Sequence, residues 1–266
     1  MDGMQRRSSM GILDGRKAII AGASSGVGYG EALRFAQEGA DVIAGARRMQ
    51  KLMELKADAE NRGFPGKITP VECDIAKDAD LDGIVKACVD LYGQIDILSC
   101  IAQGGLFDQH DMLETTPENA MLFFEQGPVY TLKLIQKCFP YMKEKHYGRI
   151  LLCGSGAGAS YVEHACGYSM AKAAIISLSR MTSHDLGPYG ITTNCFLPVS
   201  KSDAFSDPDS PGGRKYLAMM EQAIPIHHFG TPYEDVSPML AFLASEQSGY
   251  VNGQCISICG GCFNPV

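Results

Sequence analysis

Short apolar runs recur along the chain at intervals that leave room for a helix. "KAIIAG" (17–22) and "DVIAGA" (41–46) end in small residues, and the helix-length segment "VGYGEALRFAQEG" lies between them, predicting a βαβ unit. Further strands are expected at "KITPVE" (67–72), "IDILSCIA" (95–102), "GRILLCG" (148–154), "ITTNCFL" (191–197) and "QCISIC" (254–259), with helical segments in most intervals. This alternation predicts an α/β fold: a doubly wound parallel sheet of about seven strands with helices on both faces. No linker or internal repeat divides the chain, so one domain is expected over residues 1–266.

One interval departs from the rhythm. Residues 198–230 are rich in Pro, Ser, Asp and Gly and then turn apolar, as expected of a substrate lid. Phe205, Leu217, Met219, Met220, Ile224 and Ile226 would give it an adaptable apolar wall, or else form the buried face of an ordinary helix.

Composition narrows the function classes. Apolar residues make up 45% and charged residues 20% of the 266, enough for a sheet covered on both faces. The formal net charge of -7, with no run of basic residues, argues against nucleic-acid and anionic-membrane partners. No apolar stretch has signal-peptide or membrane-spanning length, so a cytoplasmic protein is expected. The ten cysteines then read as free thiols, and "CGGC" (259–262) has no second pair at matching spacing to complete a metal site.

The first strand runs straight into "GASSGVG", with Gly22, Gly26 and Gly28. Glycines there allow a tight turn, close approach of the backbone to a pyrophosphate, and packing of the next helix with its N-terminus toward the phosphates. Where an acid would bind the adenosine ribose of NAD, the second strand ends in Ala46, followed by Arg47 and Arg48. Arg47 there suits a 2′-phosphate, so NADP(H) is the expected cofactor, although Arg47 and Arg48 also suit a solvated helix start. Asp74, ending the third strand, could accept from the adenine amino group.

Tyr168 and Lys172 in "YSMAK" lie four apart, one turn along a single helix face. A free tyrosine ionises near ~10, too high for an efficient base at neutral pH. A cation about 4 Å away, at an effective dielectric of ~20, would stabilise its phenolate by ~4 kcal/mol. Ser155, just past a strand in "GSGAG", could hydrogen-bond the same substrate oxygen. His164 could border this pocket, or simply be partnered or exposed.

Together "GASSGVG", "CDI", "IDIL", "GSGAG", "YSMAK" and "GITTNCFLP" resemble the short-chain dehydrogenase/reductase family across nearly the whole chain. The resemblance implies a Rossmann-like fold, with Tyr168 as catalytic acid/base, Lys172 on the nicotinamide ribose and beside the tyrosine, and Ser155 holding the substrate oxygen. It also implies cofactor contacts from Gly22, Ser24, Ser25, Gly26, Val27 and Gly28, from Arg47 and Arg48, and from Asp74 and Ile75. Ala102, Gln103, Pro198, Val199, Ser200 and Ser202 complete that set. A homotetramer is a further implication, with a small apolar alcohol or ketone as substrate.

Three positions depart from the family pattern. The usual "NNAG" reads "CIAQ" (100–103), the usual Pro-Gly reads Pro198-Val199, and Gly127 stands where an asparagine usually holds a water in a proton relay. These same features are similar to NADP-dependent 12α-hydroxysteroid dehydrogenases. The expected activity is interconversion of a secondary alcohol and a ketone, on a hydroxysteroid or bile acid. A 3-oxoacyl thioester or small ketone is the alternative substrate, and a cofactor-binding protein without turnover the alternative class.

Overall fold

The computed structural model describes residues 11–105, 108–201 and 211–263. Seven strands form one parallel sheet: β1 (Lys17–Ala21), β2 (Asp41–Ala46), β3 (Ile68–Glu72), β4 (Ile97–Cys100), β5 (Gly148–Cys153), β6 (Ile191–Pro198) and β7 (Cys255–Ile258). Their order is β3-β2-β1-β4-β5-β6-β7. Six fall within the runs read from the sequence, and β6 runs one residue beyond its run, to Pro198.

Both faces of the sheet are covered, and the strand residues sort between them with a period of two. Ala18, Ile20, Val42 and Ala44 point to one core, with α1 (Gly26–Gln37), α2 (Met49–Asn61) and α8 (Ser237–Ala244). Ile19, Ala21, Ile43, Leu98, Ile150 and Leu152 point to the other, with α3 (Asp78–Tyr92), α5 (Tyr130–Lys145) and α6 (Cys166–Leu186). Two further helices, α4 (Pro117–Phe124) and α7 (Pro211–Ala223), lie outside this pairing. Of these, α4 begins with a Thr116 cap that accepts from Asn119 N–H at 3.1 Å, followed by Pro117.

Strand order reverses between β1 and β4, which opens a crevice at their C-terminal ends. On one side of this crevice α4 does not simply run into α5. Residues Glu125–Val129 form a wide π turn, with Gln126 off helical geometry (φ -95°, ψ 22°) and Pro128 inside. Pro128 has no N–H for the helical ladder, and such a widened turn re-aims the backbone around it.

Candidate active site

At the crevice, Gly22 adopts φ +109°, and a Cβ there would lie 2.6 Å from the backbone nitrogen of Ala102. Gly28 packs so tightly that a Cβ would collide with the Gly22 carbonyl. These gaps are filled by backbone, so this is the cradle that a dinucleotide pyrophosphate requires at the N-terminus of α1. Ser25 precedes that helix in an extended conformation and makes no side-chain cap bond. Val27 is half-buried behind it.

Of the two arginines, it is Arg48 that reaches the cradle. Its guanidinium donates to Ser24 Oγ at 3.0 Å and to Ser25 Oγ at 2.6 Å, while Arg47 is exposed. Asp74 accepts from Ala76 N–H at 3.1 Å, and Asp80 in turn accepts from Asp74 N–H at 2.8 Å, which fixes the turn holding Ile75. Ala102 is tied to both sides of the crevice: its N–H donates to Ala21, and its carbonyl accepts from Tyr130 Oη at 2.7 Å. Pro198 ends β6, and Val199 and Ser200 follow it, with Val199 N–H bonded to the Ile258 carbonyl. Ser202 and Phe205 lie outside the described residues.

The candidate reacting groups lie just past β5 and on α6. Lys172 is only 2% exposed, and its ammonium donates to the Cys153 carbonyl at 2.7 Å. It stands 5.6 Å from the centre of the Tyr168 ring. Burial pushes the Cys153 thiol up, against the opposing pull of Lys172, so no thiolate competes for the cation at neutral pH. Ser155 accepts from Ala157 N–H at 3.2 Å. That contact occupies one lone pair and leaves the hydroxyl proton to be donated elsewhere.

Side chains that no motif announced complete the surroundings. Phe123 meets Tyr168 edge-on, with ring centres 6.2 Å apart at 69°. Phe263 packs against Gly156, next to Ser155. Their positions, 45 before the tyrosine and far beyond it, carry no periodic signal. The loops flanking Tyr168 are tied together: His164 Nδ1 lies 3.0 Å from Asp111, and Cys166 N–H donates to the His110 carbonyl. Met112, Leu113 and Tyr161 stand exposed on these loops, amid Asp108, Asp111, Glu114 and Glu163.

The lid candidates separate in space. Ile224 is buried against Gly260, whereas Met219 and Ile226 are exposed, and Leu217 and Met220 are half-buried. A cleft of about 650 Å³ lies between α1, α2, Leu217 and residues 231–234, and its lining includes Ser24, Ser25 and Gly26. It is lined by none of Ser155, Tyr168 and Lys172, so its volume does not mark the reacting centre. In "CGGC", Cys259 donates to the Phe263 carbonyl and Cys262 is exposed. The ten cysteines are all unbridged, and among the described residues no helix is long and apolar enough to cross a membrane.

A family model described as enoyl-(acyl carrier protein) reductase matches residues 22–262. The chain is 30% identical to a 3-oxoacyl-[acyl-carrier-protein] reductase of Thermotoga maritima, covering 94% of this chain and 98% of that one. It is 29% identical to a 12alpha-hydroxysteroid dehydrogenase of Clostridium sp., covering 95% and 98%. Its fold superimposes on a 7 alpha-hydroxysteroid dehydrogenase complexed with NADH and 7-oxo glycochenodeoxycholic acid, with a TM-score of 0.85, 28% identity and 94% of each chain covered.

Proposed function

The chain belongs to the short-chain dehydrogenase/reductase family, oxidoreductases of CH–OH groups and ketones, and we propose that it uses NADP(H) and prefers a hydroxysteroid. The observation that carries the reaction is the placement of Lys172: a buried cation held by the Cys153 carbonyl beside the Tyr168 ring. The cradle of Gly22 and Gly28 fits a dinucleotide, because any side chain there would meet backbone. Ser24, Ser25, Arg48, Asp74 and Ala102 would hold the cofactor, which supplies or accepts the hydride when bound.

In the oxidative direction, Tyr168 Oη takes the proton of the substrate hydroxyl, with the buried Lys172 ammonium beside its ring. Ser155 donates its free proton to the substrate oxygen and fixes which oxygen faces Tyr168. In the reductive direction the same tyrosine returns the proton to the developing alkoxide.

Arg48 supports NADP(H), since a guanidinium already bonded to two serine hydroxyls at the cradle is placed for a phosphate. Support for an apolar, bulky substrate comes from Met112, Leu113 and Tyr161 on the rim. The carboxylates of that rim oppose the phosphate of a carrier-bound thioester. We place the protein in the cytoplasm and expect it to assemble as a tetramer.

The test is reduction of NADP+ and NAD+ with a panel of neutral steroids and bile acids differing in one hydroxyl, with 3-oxoacyl thioesters and small ketones assayed in reverse. Turnover confined to one steroid position, with NADP+ preferred, is expected. Turnover of thioesters alone overturns the substrate class. Tyr168→Phe is expected to lower kcat by on the order of a thousandfold or more while NADPH binding stays within a few-fold.

A further inference from the structure

Two glutamines interlock the loop after β4 with the π turn. The side chain of Gln126 covers Gly104, whose N–H donates to the Gln126 carbonyl at 3.0 Å. The side chain of Gln103 covers Gly127: a Cβ at position 127 would lie 2.6 Å from Gln103 Oε1 and 3.0 Å from its Nε2. The amide orientation is set by its partners, because Nε2 donates to the carbonyls of Gly104 at 3.1 Å and Phe123 at 3.2 Å. Turned round, the amide would set oxygen against two oxygens.

This orientation leaves Gln103 Oε1 buried with no hydrogen-bond partner. A buried carbonyl oxygen with no protein donor is a place for a water or an incoming donor. Two contacts connect it to the reacting groups. The residue whose carbonyl Gln103 holds, Phe123, packs edge-on against Tyr168. The π turn packs on α6, the helix that carries Lys172. Lys172 has three donors and gives one to Cys153, which leaves two for water.

We propose that Gln103 is a positioning residue: its amide fills the space over Gly127, steadies Phe123 against Tyr168, and offers Oε1 to the water that exchanges protons with Lys172. This rests on the alcohol–ketone reading above. It makes Gln103 and Gly127 one unit, an amide delivered from the β4 loop over a residue that has no side chain.

The decisive variant is Gln103→Leu, which keeps the bulk and removes the acceptor. With NADPH and the active ketone, kcat is expected to fall on the order of 10- to 100-fold with a displaced pH profile, while the NADPH KM changes less than threefold. A wild-type kcat and pH profile in Gln103→Leu overturns the proposal. The exchange variant then asks whether the amide can come from the other side. Gln103→Gly and Gly127→Asn should each lose at least tenfold, and the double variant should return to within about fivefold of wild type. Losses that multiply in the double variant overturn the pairing. If the wild-type protein turns over nothing in the panel, the alcohol–ketone reading fails separately. The pair is then read by urea unfolding, where recovery of the midpoint in the double variant supports it and additive losses overturn it.

Discussion

The cofactor cradle and the β4 loop with its π turn are both built around glycine, but their glycines are filled differently. At Gly22 and Gly28 the space a side chain would need is taken by backbone, that of Ala102 and of Gly22 itself. At Gly104 and Gly127 it is taken by the amides of Gln126 and Gln103. Backbone cannot be substituted away, so the cradle admits one solution. A side chain can be exchanged together with its partner, so the substrate side can be rebuilt in pairs while the cradle stays fixed. Two of the three departures from the family pattern, "CIAQ" and Gly127, meet in this one contact.

The sharpest way to break this contrast is Gly28→Ala. Its methyl must displace the Gly22 carbonyl, and loss of NADPH binding by more than 100-fold is expected in a fluorescence titration. Binding within tenfold of wild type would show that the cradle yields as a side chain does.

A second probe reaches beneath the cradle. Glu31 on α1 is buried and accepts from Ser99 Oγ at 2.8 Å, and burial pushes its carboxyl from 4.5 up to about 8. A carboxyl whose folded value is raised binds its proton more tightly in the folded state. The associated stability is therefore complete below pH 4.5 and declines as pH rises toward 8, by roughly 5 kcal/mol in all. Glu31→Gln should flatten this decline and make the protein more stable than wild type above pH 8, read from urea midpoints across pH. An unchanged pH dependence would place the titrating group elsewhere.

Side chains laid over the cradle should be exchangeable even though its backbone is not. Arg48→Asp should weaken NADP+ by about 10- to 100-fold relative to NAD+, as loss of a charged hydrogen bond does. Arg47→Asp should do less, and a larger effect from Arg47 would reassign the phosphate contact. The smallest effect is expected at the exposed His164–Asp111 pair: His164→Gln should change stability by less than about 1 kcal/mol.

Five of the seven strands were legible because they are short apolar runs buried along nearly their whole length, whereas the edge strands β3 and β7 are only half-buried. Ser155, Tyr168 and Lys172 were singled out from local spacing, and the structure places Ser155 two residues past β5 and the other two on α6. What the sequence concealed lies in contacts between segments. Nothing in "FEQGPVY" announces a π turn rather than a helix break, and nothing in "CIAQ" says that its glutamine reaches Gly127. Arg47 and Arg48 are adjacent in sequence, and only the course of the chain into α2 turns the second one onto Ser24 and Ser25. The lid residues were grouped by composition, yet Ile224 and Ile226 both pack against Gly260, the first buried and the second largely exposed.

The placement of Phe263 against Gly156 also sets an order in time. A chain made from its N-terminus has every strand and turn of the phosphate cradle once residue 102 has emerged, although the contact of Gly22 with Ala102 is itself long-range. The flank of Ser155 must wait for residue 263, and β6 stays an unpaired edge until β7 arrives beside it. The flank of Ser155 thus depends on a contact spanning more than a hundred residues, and α1 beneath the cradle itself packs on Pro232–Val236 and on α8.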